Sequence, residues 1–164
     1  MLQSLFLYIL MKAFVPILQF VLISFLVGYI SMLLQRDSMV TWYPALVKSS
    51  LTPPGTVFAV AWGILYLLMG ISAGLVWNKR TMYSWALILL FVVQLALNLL
   101  WSYCFFYLQL PVLGFAVLVV LFMLVVLYVS ACYTQHKWAA LINIPYLLWL
   151  IFAGYLNLFV ALNN

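Results

Sequence analysis

Residues 56–77 read TVFAVAWGILYLLMGISAGLVW, 22 residues without a single charge. An α-helix rises about 1.5 Å per residue, so this stretch covers the roughly 30 Å hydrocarbon core of a bilayer. It is Leu-rich and apolar on every side. A barrel strand would alternate polar and apolar over about ten residues, and no such alternation occurs.

Four more segments of the same kind flank it: Phe14–Leu34, Met82–Tyr103, Pro111–Tyr133 and Ala139–Ala161. The composition agrees. Hydrophobic residues make up 71% of the 164 and charged residues 4%, against about 25% charged in a soluble domain. The mean hydropathy is +1.31. Such a chain has too few charges to cover a water-facing surface, which excludes a soluble globular protein and a disordered tail. The expectation is an all-α membrane protein, a five-transmembrane-helix bundle forming one domain over residues 14–161. Residues 1–13 read as an N-terminal extension and 162–164 as a tail. Met1–Leu10 would either extend the first helix or lie in the interface. A start at Met11-Lys12 also reads as a bacterial N-terminus, and no A-x-A-type cleavage site follows.

Three connections are short, which forces antiparallel neighbours. The fourth, residues 35–55, is long and carries Trp42, Tyr43, Pro44, Leu46, Leu51, Pro53 and Pro54. A loop of that length is usually functional or disordered; its aromatic and apolar side chains point to folding back on the bundle mouth, with a loose tether as the alternative. Lys12, Lys79, Arg80 and Lys137 fall on one side and Arg36 and Lys48 on the other. The positive-inside bias then puts the N-terminus in the cytoplasm, in a bacterial inner membrane. The net charge of +5 follows from this bias, and no basic cluster suggests nucleic acid.

Much catalytic chemistry is excluded. Asp37 is the single carboxylate and His136 the single histidine, on opposite sides of the bilayer. Paired-carboxylate catalysis, a Ser-His-Asp triad and a carboxylate metal site are therefore unavailable. Cys104 and Cys132 lie at opposite membrane faces, too far apart to pair. No charged residue falls inside a span, which argues against a proton relay or a voltage sensor.

What remains is neutral and aromatic. Gln94, Asn98 and Trp101 share one face of the third span, Trp62, Tyr66, Met69 and Ala73 one face of the second, and Tyr146, Trp149, Ala153 and Asn157 one face of the fifth. Pro145 should loosen the fifth helix near Leu141. Trp77, Trp85 and Trp138 lie near span ends, where indoles favour the interface; Trp62 and Trp149 lie deeper. From spacing alone, a ligand pocket and plain helix packing both stay open. Ala59, Gly63, Gly70 and Gly74 form a small-residue stripe, either an internal contact or a homodimer seam.

Several runs are similar to one family: Trp42-Tyr43-Pro44-Ala45-Leu46, Thr52-Pro53-Pro54-Gly55, Ala61 to Gly70, Gln94 to Trp101 with Phe105-Phe106, and Ile144 to Asn157. In this order and spacing the chain resembles the TspO/MBR family of tryptophan-rich sensory and translocator proteins. The resemblance implies a five-helix bundle, usually a homodimer, that binds porphyrins and haem-pathway intermediates without an obligatory cofactor. The implied pocket residues are Trp62, Tyr66, Asn98, Trp101, Tyr146, Trp149 and Ala153, under a lid formed by Trp42, Pro53 and Pro54. A sensory or regulatory tetrapyrrole receptor is the leading expectation. A transporter of porphyrins or lipid-like ligands is the alternative, and light-dependent, Trp-based porphyrin breakdown is the most that an enzymatic reading would allow. The loop departs from the family pattern: Lys48-Ser49-Ser50-Leu51 stands where Lys-Pro-Ser-Trp is common. No Lys or Arg follows Tyr155, so the cholesterol-type motif is incomplete.

Overall fold

The computed structural model describes residues 2–164, with side chains from Met11 onward. Of the two placements open for Met1–Leu10, extension of the first helix is the one seen, since α1 begins at Leu2; Met1 lies outside the described residues. The fold is all-helical: α1 (Leu2–Val40), α2 (Gly55–Lys79), α3 (Met82–Ser102), α4 (Pro111–Gln135), α5 (Lys137–Leu141) and α6 (Ile144–Asn163). A 3₁₀ turn covers Tyr43–Ala45 and a π-helical turn Tyr103–Tyr107. Five stretches are long and apolar enough to span a membrane, the last being α5 and α6 together. The protein is thus an integral, multi-pass membrane protein.

Three boundaries differ from the reading of hydropathy alone. The first helix passes Leu34 and runs to Val40, so Arg36 and Asp37 lie in its last turns rather than in a loop. Hydropathy ends at Leu34, but no Gly or Pro breaks the helix there, and polar side chains bond back to it. Gln35 donates to the Ser31 carbonyl at 3.1 Å, Thr41 to that of Asp37 at 2.8 Å, and Ser38 reaches across to the Phe106 carbonyl. The third span continues beyond Tyr103 as the π-helical turn, closed by the Leu108 amide donating to the Tyr103 carbonyl at 2.9 Å. Such turns often accompany functional sites. The fifth span is broken at Ile142–Asn143, as Pro145 suggested. Pro145 sits in the first turn of α6, where its missing N–H costs nothing. Asn143 bridges the break by donating to the Ala139 carbonyl at 2.7 Å.

Small residues bring α1 and α2 together. A Cβ added at Gly70 would meet the Val21 backbone, and one at Gly74 the Ile17 backbone. The stripe is therefore an internal contact at these two positions, closed to a partner helix. Gly63 is different: nothing lies within 4 Å of a Cβ placed there.

The end of the bundle away from the long loop is tied by Ser72, which bonds the Tyr128 hydroxyl at 2.9 Å and donates to the Ala139 carbonyl at 2.8 Å, joining α2, α4 and α5. Asn78 donates to the Ala13 carbonyl at 2.7 Å, which places Lys12 at the same end as Lys79 and Arg80. His136 caps α5, its Nδ1 accepting from the Ala139 amide at 3.2 Å. Both cysteines are free. At the other end the long loop folds back onto the bundle. Trp42 and Tyr43 pack on Phe105, and Tyr43 also on Phe106. Ser49 bonds the Tyr155 hydroxyl at 2.9 Å, and the Val47 amide donates to Asn164 at 2.9 Å.

Candidate ligand-binding site

The helix faces singled out from spacing converge toward the end of the bundle that carries the long loop. Trp62 from α2 is the hub. Its ring lies 5.6 Å from Trp101 of α3 at an interplanar angle of 26°, a stacked pair. Tyr66, one turn along α2, lies 5.7 Å away. Trp149 of α6 meets Trp62 edge-on at 6.5 Å and Phe58 at 5.5 Å. The α2–α6 seam is therefore bridged by aromatic rings. Each such pair contributes about 0.5–1.5 kcal/mol beyond its burial.

Behind this cluster the neutral polar groups are mostly paired with one another. Asn98 donates to the Tyr146 hydroxyl at 2.6 Å and to the Gln94 carbonyl at 2.9 Å. The Trp101 indole donates to Asn157 at 3.0 Å, and Asn157 in turn donates to the Pro111 carbonyl at 2.7 Å. Tyr146 is wholly buried and Ala153 nearly so. Four groups break the pattern. The indole N–H groups of Trp62 and Trp149, Asn98 Oδ1 and the Gln94 side-chain amide are buried without a protein partner. A buried polar group left unpaired costs about 1–3 kcal/mol, so these atoms mark places where something polar from outside the chain would be welcome.

A cavity of about 640 Å³ lies beside the cluster, between the C-terminal half of α1 and the N-terminal half of α2. That is within the usual 300–1,000 Å³ of small-molecule sites. Trp62, Tyr66, Trp101 and Ser102 form its inner wall, Phe58, Ala59 and Gly63 its α2 side, and Phe25, Gly28, Tyr29, Met32 and Met39 its α1 side. The absent Cβ of Gly63 leaves that wall open. Tyr29 and Met32 are more than half exposed, so the cavity opens sideways from the bundle at membrane depth. Ser31, Gln35 and Arg36 complete the α1 wall.

Of the residues expected in the pocket, Trp62, Tyr66 and Trp101 border this cavity. Asn98, Tyr146, Trp149 and Ala153 do not border it: Asn98 and Tyr146 pair between α3 and α6, and Trp149 sits on the α2–α6 seam against Phe58 and Trp62. Among the lid residues, Trp42 covers Phe105, and Pro54 caps the start of α2, with Pro53 just before it. Gly55, the next residue, reaches the cavity rim. The whole α1 wall, Arg36 included, escaped the sequence reading, as did Phe58. The signal was present in part: Phe25, Gly28, Tyr29, Met32, Arg36 and Met39 follow helical spacing, which continues only if the helix runs past Leu34. Trp85 and Trp138 are largely exposed at helix ends, and Trp77 packs edge-on against Trp85 at 4.8 Å.

The comparisons with known proteins agree on one family. The model of the TspO/MBR family matches residues 20–162. The chain is 36% identical over 138 residues to the tryptophan-rich protein TspO of Archaeoglobus fulgidus, covering 84% of this chain and 90% of that one. It is 34% identical over 116 residues to the tryptophan-rich sensory protein of Cereibacter sphaeroides, covering 71% and 72%. To the translocator protein of Bos taurus it is 33% identical over 152 residues, covering 87% and 86%. Matched over most of its length, and with its tryptophans gathered on facing helices, the chain belongs to the TspO/MBR family.

Proposed function

We propose that this protein is a membrane receptor for flat tetrapyrroles of the porphyrin type, with a sensory or regulatory output. The observation that carries the reading is the Trp62 indole. Its N–H is buried without a partner while it borders a 640 Å³ cavity walled by Tyr66 and Trp101. A conjugated macrocycle offers ring faces for the aromatic side chains and nitrogen or oxygen acceptors for an unpaired indole N–H. The names carried by relatives, sensory protein and translocator protein, favour a signalling or ligand-handling role.

The cations support an orientation with the N-terminus in the cytoplasm: Lys12, Lys79, Arg80 and Lys137 gather at one end, and Arg36 and Lys48 at the other. The long loop then covers the site from outside. A bacterial inner membrane fits this arrangement.

The test is a titration of the purified chain with protoporphyrin IX, followed by Trp fluorescence, and repeated on Trp62→Phe and Trp62→Phe/Trp149→Phe. Saturable quenching in the parent is expected. Because the lost Trp62 donor removes about 1–1.5 kcal/mol and Trp149 packs edge-on against Trp62, the double variant should bind about ten-fold more weakly. Equal affinity in the double variant would overturn the site assignment.

A further inference from the structure

Arg36 is the one charged side chain that borders the α1–α2 cavity. Its level in the membrane follows from the helix register. Val21 faces Gly70, Gly28 faces Tyr66, and Met39 lies 4.0 Å from a Cβ built on Gly55. Interpolating between these pairs sets Arg36 opposite Phe58, one turn outward of Trp62. That is about 6 Å along the axis, within the reach of an arginine, which can lay its aliphatic stem along apolar surface and extend its head.

The other charged groups nearby are turned elsewhere. Asp37, the chain's single acidic residue, does not border the cavity. Lys48 in the loop is committed: its Nζ donates to the Tyr43 and Pro44 carbonyls at 2.7 and 3.1 Å and lies 4.9 Å from the Tyr43 ring centre. The cavity's one positive charge therefore lies beside Gln35 toward the loop, above a wall that is mostly aromatic and carries the neutral hydroxyls of Ser31 and Ser102.

We propose that Arg36 anchors a carboxylate on the edge of the ligand, so that the cavity selects planar molecules bearing an acid group over their neutral esters. The inference rests on the porphyrin reading above and adds an orientation to it: the acid edge faces outward, toward the loop, and the ring faces lie against Trp62 and Tyr66. An arginine is suited to this because its fork can bond both carboxylate oxygens at once. The partly lipid-facing position raises the worth of that contact above that of an ion pair in open water.

The experiment uses the full chain in nanodiscs of zwitterionic lipid, titrated in parallel with protoporphyrin IX and with its dimethyl ester. The parent should prefer the diacid by about ten-fold, the lower end of what a charge-assisted hydrogen bond contributes. Arg36→Gln should lose that preference while binding the ester as the parent does, and Arg36→Lys should restore part of it. Unchanged ester affinity shows that Arg36→Gln keeps the fold. If Arg36→Gln keeps the full preference for the diacid, the anchor assignment is overturned while the porphyrin reading stands. If the parent binds both ligands equally, the acid selection is likewise overturned. If the parent binds neither, both readings fall together.

Discussion

Replacing three glycines of α2 by alanine, one at a time, should give two opposite results. A Cβ at Gly70 would stand 2.6 Å from the Val21 nitrogen, and one at Gly74 2.9 Å from the Ile17 nitrogen, with the Cα of each residue nearer still. These obstacles are backbone and cannot rotate away. Ordinary contact begins near 3.4 Å, so α1 must retreat by more than 0.8 Å at Gly70. A gap of 0.5–1 Å forfeits a quarter to a half of the dispersion energy along a packed seam, and overpacked sites lose about 1–3 kcal/mol. Gly63→Ala meets nothing within 4 Å. Helix propensity favours alanine by up to about 1 kcal/mol, but equally at all three positions, so differences among the variants isolate the contact. For a chain of this size 1 kcal/mol corresponds to about 2–4 °C in Tm. Thermal unfolding in one detergent should place Gly70→Ala and Gly74→Ala about 4–8 °C below Gly63→Ala. The double variant should fall short of the sum, because one retreat of α1 relieves both clashes. Equal melting of all three would refute the α1–α2 packing, and with it the cavity between those helices.

Other substitutions probe the polar ties. Asn157→Leu strands the Trp101 indole N–H and removes the tie to the Pro111 carbonyl at the start of α4; it should cost about 1–3 kcal/mol, read as a lower Tm and a shifted Trp emission. Ser72→Ala removes two bonds at once, to the Tyr128 hydroxyl and to the Ala139 carbonyl, the latter keeping only its bond from Asn143. Tyr128→Phe keeps the bond to Ala139, so it should melt above Ser72→Ala. Ser49→Ala frees the loop from Tyr155; losing about 1 kcal/mol of anchoring should speed porphyrin release about five-fold in stopped-flow displacement, with little change in Tm.

The number and type of the elements could be read directly, because spans such as residues 56–77 and 111–133 are apolar over a full bilayer thickness. The inward faces of α2, α3 and α6 were legible from helical spacing, since Gln and Asn side chains at membrane depth turn inward, away from lipid, and the tryptophans share their faces. What stayed hidden depends on contacts between elements. Hydropathy stops at Leu34, whereas hydrogen bonds from Gln35, Ser38 and Thr41 carry α1 to Val40; Arg36 was therefore read as a loop residue. Spacing put Asn98 and Tyr146 on inward faces without revealing that each is the other's partner. Nor could it separate Gly63, which faces open space, from Gly70 and Gly74, which seat a neighbouring helix.

The most direct test follows the indole N–H groups themselves. With the chain ¹⁵N-labelled at tryptophan in micelles or nanodiscs, protoporphyrin IX is added and the seven indole resonances are followed by NMR, assigned by single Trp→Phe variants. The account predicts large, saturable shifts at Trp62, smaller ones at Trp101 and Trp149, and none at Trp85 and Trp138. Shifts confined to Trp85 and Trp138, or spread evenly over all seven, would contradict a tetrapyrrole site at Trp62.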